Sequence, residues 1–168
     1  MDLPLHPFFV HFPVALLLVS GLAYITAIFQ ERAFYQRAGF LLHVAGILGS
    51  IAAIFTGRGA EAEIVHTEAI HQLVELHEKL AYVMVWVLIM LLLWQYLRGA
   101  KQTKMEMGIF ALVFVANMGL MLFSSHLGGE MVYKEGAGIY PMEPALKAQF
   151  QQEQEEKYPQ EKQEVMQE

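Results

Sequence analysis

The hydrophobic positions of this chain are gathered into four runs, which are separated by short polar segments. The runs cover residues 8–29, 36–57, 80–97 and 107–123. Each run is close to the ~20 residues that an α-helix needs to cross a hydrocarbon core about 30 Å thick. The pattern therefore predicts an all-α membrane protein, a four-transmembrane-helix bundle, with residues 1–140 as its membrane domain.

Two segments break this pattern. In residues 58–78, glutamates are interleaved with isoleucine, valine and leucine at helical spacing, which predicts an amphipathic helix lying on the membrane surface between the second and third spans. Residues 141–168 are rich in glutamate, glutamine and lysine and are predicted to form a polar, acidic tail without a site.

Within the second span, Gly39, Gly46 and Gly49 allow close helix approach and predict that this helix is the most enclosed.

Lysine and arginine are distributed unevenly between the connections. Those beside the first and third connections are Arg32, Arg37, Arg98, Lys101 and Lys104. The second connection has only two basic residues, Arg58 and Lys79, and its glutamates outnumber them. Because short loops rich in lysine and arginine stay in the cytoplasm, we expect a multi-pass protein of the bacterial inner membrane. Both termini and the amphipathic second connection are then periplasmic.

The amino-acid composition excludes several classes of protein and of binding site. A mean hydropathy of +0.36 with 55% apolar residues excludes an ordinary soluble domain, and the chain has no basic patch that would bind nucleic acid. Cysteine is absent, which excludes disulfides, thiolate metal sites and covalent haem attachment and leaves histidine as the chief ligand. Neither a His-Glu-x-x-His motif nor a serine or cysteine triad pattern is present, which speaks against a protease or hydrolase. We expect an electron carrier or complex subunit rather than a stand-alone enzyme.

Most of the histidines lie on one side of the predicted bundle. The six on the periplasmic side are His6, His11, His66, His71, His77 and His126. The seventh, His43, lies roughly 10 Å deep in the second span when counted from the other side at 1.5 Å per residue. The asymmetry predicts a single cofactor site near the periplasmic face.

Three of the outer histidines are predicted to form that site. His11, His77 and His126 come from three different helices at similar depth, and ionisable groups near hydrocarbon usually face a site inside the bundle. The other three outer histidines fit equally well as surface residues or substitute ligands, and His71 also fits as a partner of a neighbouring glutamate.

Haem b suits this site because two histidines on facing helices of a bundle hold the iron from both sides. Gly128 and Gly129 would leave room beside the ring, and Arg58 would pair with its propionates. We expect one haem; a second would need His43 together with a methionine or an open position.

Two other readings remain open. His11, His77, His126 and His43 are also suitable ligands for zinc or copper, which would make the chain a transition-metal binding or transport protein. Alternatively, the histidines are ordinary contacts in a cofactor-free structural subunit of a membrane complex.

Two motifs carry a family resemblance. Residues 6–13 read His-Pro-Phe-Phe-Val-His-Phe-Pro and residues 126–129 read His-Leu-Gly-Gly. Over about residues 4 to 140 the chain resembles a bacterial family of four-helix membrane proteins of unknown function, whose members look like small b-type cytochromes. The resemblance implies electron transfer with a periplasmic cytochrome, a quinone or a larger membrane complex.

The resemblance also implies particular positions. Those that carry over are His6, His11, His126, Gly128, Gly129 and Tyr133. The chain departs from the family where relatives continue Val-Tyr-x-His-Gly, since it has Glu135 in place of that histidine. If that histidine is a ligand elsewhere, this chain lacks it or replaces it from the second connection.

Overall fold

Four long helices make up the membrane domain. The computed structural model describes residues 5–30, 32–62, 64 and 68–137, together with positions 148, 152, 153 and 156 of the tail. The helices are α1 (Leu5–Phe29), α2 (Arg32–Glu61), α3 (Glu68–Arg98) and α4 (Lys104–Tyr133). A single 3-10 turn, Gly99–Lys101, precedes α4. Each helix is long and apolar enough to cross a membrane, which confirms the four predicted spans.

The helices extend beyond the apolar runs because backbone hydrogen bonding continues into polar residues outside the hydrocarbon. With 31 residues, α3 is about 46 Å long, against a hydrocarbon core of about 30 Å. The amphipathic helix expected over residues 58–78 does lead into the third span, but its residues are divided between two helices. Residues 58–61 complete α2 instead, and residues 68–78 form the first three turns of α3. The His-Leu-Gly-Gly element likewise lies inside α4 rather than after it.

Short connections make consecutive helices antiparallel, so the start of α1 and of α3 lies beside the end of α2 and of α4. The most extensive packing is between α1 and α2, and next between α3 and α4. We call the end that holds His6 and His77 the histidine end. The opposite end, which holds the α1–α2 connection and the 3-10 turn, is called the turn end.

The core is assembled from all four helices. Its buried apolar members are Leu17, Tyr24, Ile47, Leu88, Leu91, Phe110, Phe114, Met118 and Met121. Of the most apolar stretch of α4, 44% is buried inside the protein, against 28% for α2. The most enclosed helix is therefore α4 and not α2 as expected, because the α2 glycines admit α1 at close range while α4 supplies the large core side chains.

The start of α4 is held by a capping box. The Thr103 hydroxyl accepts from the Glu106 amide, and the Glu106 carboxylate accepts from the Thr103 amide at 2.7 Å. Arg98 also donates to Glu106, at 2.6 Å. These contacts satisfy amides that no helical carbonyl reaches.

Thr103→Ala is expected to loosen the first turn of α4, because the cap hydroxyl is lost at a cost of about 1 kcal/mol. Hydrogen exchange of the Glu106 amide measures the effect and should become faster. Thr103→Ser keeps the hydroxyl and serves as the control. Equal exchange in the two variants would show that the cap does not hold the turn.

Candidate functional site at the histidine end

His6 is the second residue of α1 and faces the last turns of α2. Its Nδ1 donates to the Ala53 carbonyl oxygen at 2.9 Å, and the Thr56 hydroxyl lies 3.4 Å from the same nitrogen. A carbonyl oxygen can only accept, so the ring proton is on Nδ1 and the free electron pair is on Nε2. In the neutral imidazole, Nε2 is therefore the nitrogen that is left to bind a ligand.

His77 has the same arrangement on the other side of the bundle. It is the tenth residue of α3, and its Nδ1 donates to the Ser124 carbonyl oxygen of α4 at 2.9 Å. The Ser124 hydroxyl is 3.0 Å from that nitrogen. Again the lone pair is left on Nε2.

The two imidazoles are neighbours across the bundle. The ring centroids of His6 and His77 are 6.4 Å apart and the ring planes are at 88°. With a metal–nitrogen bond of about 2.0 Å, two imidazoles on one ion have centroids roughly 5–6.5 Å apart, depending on the angle at the metal. Histidine ligands usually donate their second ring nitrogen to a carbonyl or carboxylate, as both rings do here. The centroid spacing of the pair is at the upper end of that range, which corresponds to two ligands on opposite sides of one ion.

Small residues border both rings. A Cβ added at Gly57 would lie 3.1 Å from His6 Cε1, and one at Gly128 would lie 3.7 Å from His77 Cε1. At the rim, Arg58 and Glu78 form an ion pair of 3.7 Å between α2 and α3. Arg58 and Glu78 directly follow Gly57 and His77 in the chain, so this ion pair is at the same end of the bundle as the histidine pair.

The other predicted site residues are placed differently. His11, His71 and His126 are exposed, and His11 donates to the Pro7 carbonyl of its own helix. His66 lies outside the described residues. In the described part of the chain no group of three or more histidine, aspartate and glutamate side chains is arranged to hold a metal ion.

Helix rotation explains this placement. At about 100° per residue, His11 is turned roughly 140° away from His6 on α1, and His126 roughly 200° away from the His77 partner Ser124 on α4. The structure therefore brings together His77 and His6, and it does not bring His11 and His126 to them. Histidines at a similar depth in the membrane can therefore point to different sides of their helices.

The deep histidine has a tyrosine partner. His43 is fully buried, and the Tyr24 hydroxyl lies 3.4 Å from its Nδ1. The Phe114 ring packs against it edge-on, with centroids 5.0 Å apart. Sequence reasoning missed Tyr24, whose position in the middle of an apolar span was the available signal.

Gly57→Ala is expected to displace the His6 ring, because the new methyl group would lie 3.1 Å from Cε1 and 3.2 Å from Nδ1. The ¹⁵N chemical shift of His6 Nδ1 should move as its bond to the Ala53 carbonyl weakens. Gly129→Ala is the matched control, since nothing lies within 4 Å of its added Cβ. An unchanged His6 signal in the Gly57 variant would contradict the packing described here.

The comparisons with known proteins agree with the fold. No curated protein and no solved structure matches the chain. A family model described as a predicted membrane protein, DUF2231, matches residues 2–141, which is most of the chain and the whole of the four-helix bundle. The chain therefore belongs to the DUF2231 family of predicted membrane proteins.

Proposed function

We propose that this protein binds one haem b between His6 and His77 and carries electrons in the membrane, alone or as a subunit of a larger electron-transfer complex. The observation that carries the proposal is the pair of imidazoles from α1 and α3 with centroids 6.4 Å apart. Two histidines on facing helices of a bundle are a common axial ligand set for b-type haem.

The surroundings of the pair support this choice. Each Nδ1 donates to a backbone carbonyl, which orients the ring and makes Nε2 a stronger base toward iron. Gly57 and Gly128 leave little bulk beside the rings, and Arg58 at the rim suits a propionate. Haem would supply one-electron transfer, and the protein would set its potential through the two imidazoles and through burial.

The charge distribution supports a site that faces the periplasm of a bacterial inner membrane. The five lysines and arginines of the first and third connections are all at the turn end, which makes that end cytoplasmic by the positive-inside rule. The histidine end and both termini are then periplasmic. A half-buried ligand pair at that end suits a periplasmic cytochrome or a membrane quinone as the partner.

Cysteine labelling tests the orientation, because the chain has no native cysteine. A membrane-impermeant maleimide applied to intact spheroplasts should label Ala60→Cys at the histidine end and leave Lys101→Cys at the turn end unlabelled. The reverse result would invert the proposed topology.

An optical spectrum of the detergent-extracted protein tests the cofactor. We expect a Soret band, a reduced-minus-oxidised α-band, and one haem b per chain in a pyridine haemochrome assay. Zinc or copper without iron and porphyrin would overturn the proposal in favour of a metal-binding protein. Co-purification with a complex and no cofactor would favour a structural subunit.

A further inference from the structure

The two helical hairpins, α1–α2 and α3–α4, repeat one arrangement around their histidines. In each hairpin, the imidazole Nδ1 donates at 2.9 Å to a carbonyl oxygen that comes 47 residues later in the chain. In each hairpin, a glycine 51 residues after the histidine lies beside the ring, and its added Cβ would be nearest to Cε1. The residues are His6 and Gly57 in the first hairpin, and His77 and Gly128 in the second. A shift of 71 residues therefore carries the first arrangement onto the second.

The same shift relates the buried faces of the helices. All six buried residues of α2 correspond to buried residues of α4, and three of the four buried residues of α3 correspond to buried residues of α1. The nine corresponding pairs are Leu17 with Leu88, Ser20 with Leu91, Tyr24 with Gln95, Gln36 with Met107, Gly39 with Phe110, His43 with Phe114, Gly46 with Asn117, Ile47 with Met118 and Ala53 with Ser124. One residue more or less would turn a helix by about 100°. The agreement therefore means that the two hairpins share the rotation of their helices as well as their length.

Corresponding residues also meet along the centre of the bundle. The histidine pair meets at one end, and in the middle His43 packs edge-on against Phe114, with ring centroids 5.0 Å apart. Only one member of this deeper pair is an imidazole, so His43 has no second histidine opposite it. Both α1 and α3 pack on α2 and on α4, and α2 packs on α3 about as extensively as α4 packs on α1. These contacts place the two hairpins around a pseudo-two-fold axis that runs along the bundle.

A small cavity at the turn end also lies between corresponding residues. It has a volume of about 10 Å³ and is lined by three buried glutamines, Gln36, Gln95 and Gln102. The side-chain amides of Gln36 and Gln102 are 3.4 Å apart. Two of the corresponding pairs contribute to the lining, Tyr24 with Gln95 and Gln36 with Met107. At this end the two hairpins therefore differ in side-chain chemistry but not in the position of their buried residues.

The hairpins differ most where α2 packs on α1. Gly39 and Gly46 of α2 correspond to Phe110 and Asn117 of α4. Because glycines admit a neighbouring helix at close range, α1 and α2 pack more extensively than α3 and α4 do. The unequal packing of the two hairpins thus follows from these four residues, and the shared rotation of the helices is kept.

The correspondence limits the ligands that the two hairpins can offer. A metal ion on a two-fold axis meets corresponding residues of both hairpins, so its protein ligands come in pairs. Between α1–α2 and α3–α4, the histidine pair is the one corresponding pair in which both members are histidine, aspartate, glutamate or methionine. His11 corresponds to Tyr82 and His126 to Phe55, and all four of these side chains are exposed. The described hairpins therefore supply two imidazoles and no second pair of ligands.

We propose that the chain is a tandem duplication of one helical hairpin, and that the histidine pair is a two-fold site whose two halves are equivalent. Its ligand is a metal centre that takes two equivalent imidazoles from the protein and fills its remaining coordination positions from elsewhere. Haem iron meets this description, whereas a tetrahedral zinc ion held by four side chains does not. The choice of haem rests on the proposed function, but the duplication does not depend on which ligand binds.

Exchange of a hydroxyl between the two halves tests their equivalence without any cofactor. The Ser124 hydroxyl is 3.0 Å from His77 Nδ1, and the corresponding residue beside His6 is Ala53. The double variant Ala53→Ser with Ser124→Ala moves this hydroxyl from the second half-site to the first. We expect the ¹⁵N chemical shifts of His6 Nδ1 and His77 Nδ1 to move in opposite directions, each by at least about half of the difference between the two native signals.

A second double variant is the matched control for this exchange. Ala52→Ser with Ser125→Ala makes the same chemical change one residue further along in one half and one residue earlier in the other, so the two positions do not correspond. Both histidine signals should then stay where they are in the native protein. A change at His77 alone in the first variant would overturn the equivalence of the half-sites. If that double variant does not fold, each single variant is read at its own histidine with the same criterion.

A redox titration tests the equivalence of the two ligands. A thioether ligand raises the potential of haem iron, so His6→Met and His77→Met should raise the midpoint potential by the same amount, and His11→Met should not change it. A shift in only one of the first two variants would overturn the two-fold site while leaving the haem in place. Absence of haem from the native protein would instead overturn the proposed function, and the hydroxyl exchange would still decide the duplication.

Discussion

His6→Ala and His77→Ala are each expected to abolish the low-spin haem spectrum, whereas His11→Ala and His126→Ala should leave it unchanged. The first two residues bring their rings within 6.4 Å of each other, and the other two are exposed on single helices. If haem binds between these two rings, removal of one imidazole would leave the iron with a single protein ligand. The measurement is the reduced-minus-oxidised α-band per mole of purified protein.

This set of variants contains its own control. All four substitutions delete one imidazole from the same end of the bundle, so a general effect of histidine loss would appear in all of them. If His11→Ala and His126→Ala lose the spectrum while His6→Ala retains it, the site uses the three helices expected from sequence, and the assignment to His6 is wrong.

Gly46→Ala is expected to destabilise the bundle strongly. A Cβ at Gly46 would lie 2.5 Å from Leu17 Cδ2 and 2.6 Å from Leu17 Cγ, well inside contact distance. Leu17 is only 1% exposed and is part of the core, so its side chain has no free space into which to move. Overpacking of this kind costs about 1–3 kcal/mol, and here it would separate α1 from α2. Reversible unfolding in mixed micelles measures the loss.

Two variants make this prediction specific. Gly119→Ala is the matched control, because nothing lies within 4 Å of its added Cβ and alanine has a higher intrinsic helix propensity. Leu17→Ala alone leaves a cavity, but combined with Gly46→Ala it removes the clash, so the double variant should be more stable than the sum of the single effects allows. Additive effects would show that the two residues do not meet.

The histidines show how far sequence reasoning reaches at the candidate site. That His77 belongs to a site near one face was predicted from depth, and the structure gives it a histidine neighbour. His6 and His11 are five residues apart on α1, and their side chains therefore point about 140° apart around the helix. This difference in direction is why His6, and not His11, is the neighbour of His77. The depth of a residue in the membrane follows from the hydrophobicity of its segment, which can be read from the sequence. The rotation of a helix about its own axis depends on which side chains of the neighbouring helix leave room for it.

The polar core shows the same limit. Asn117 and His43 are visible in the sequence as polar residues within apolar runs, but Tyr24 counts as apolar and Gln95 falls near the end of its run. That Tyr24 and Gln95 line one small cavity depends on contacts between residues many positions apart in the chain.

By itself the sequence determined the number of spans, their alternating direction and the end of the bundle at which most histidines gather. These follow from the cost of placing polar groups in hydrocarbon and from the shortness of the connections. Only the tertiary structure decided which histidines meet, which glycines touch a neighbour and where the buried amides converge. Those features depend on the rotation of each helix, which is set by the close packing of Gly46 on Leu17 and of Gly57 on His6 rather than by hydrophobicity.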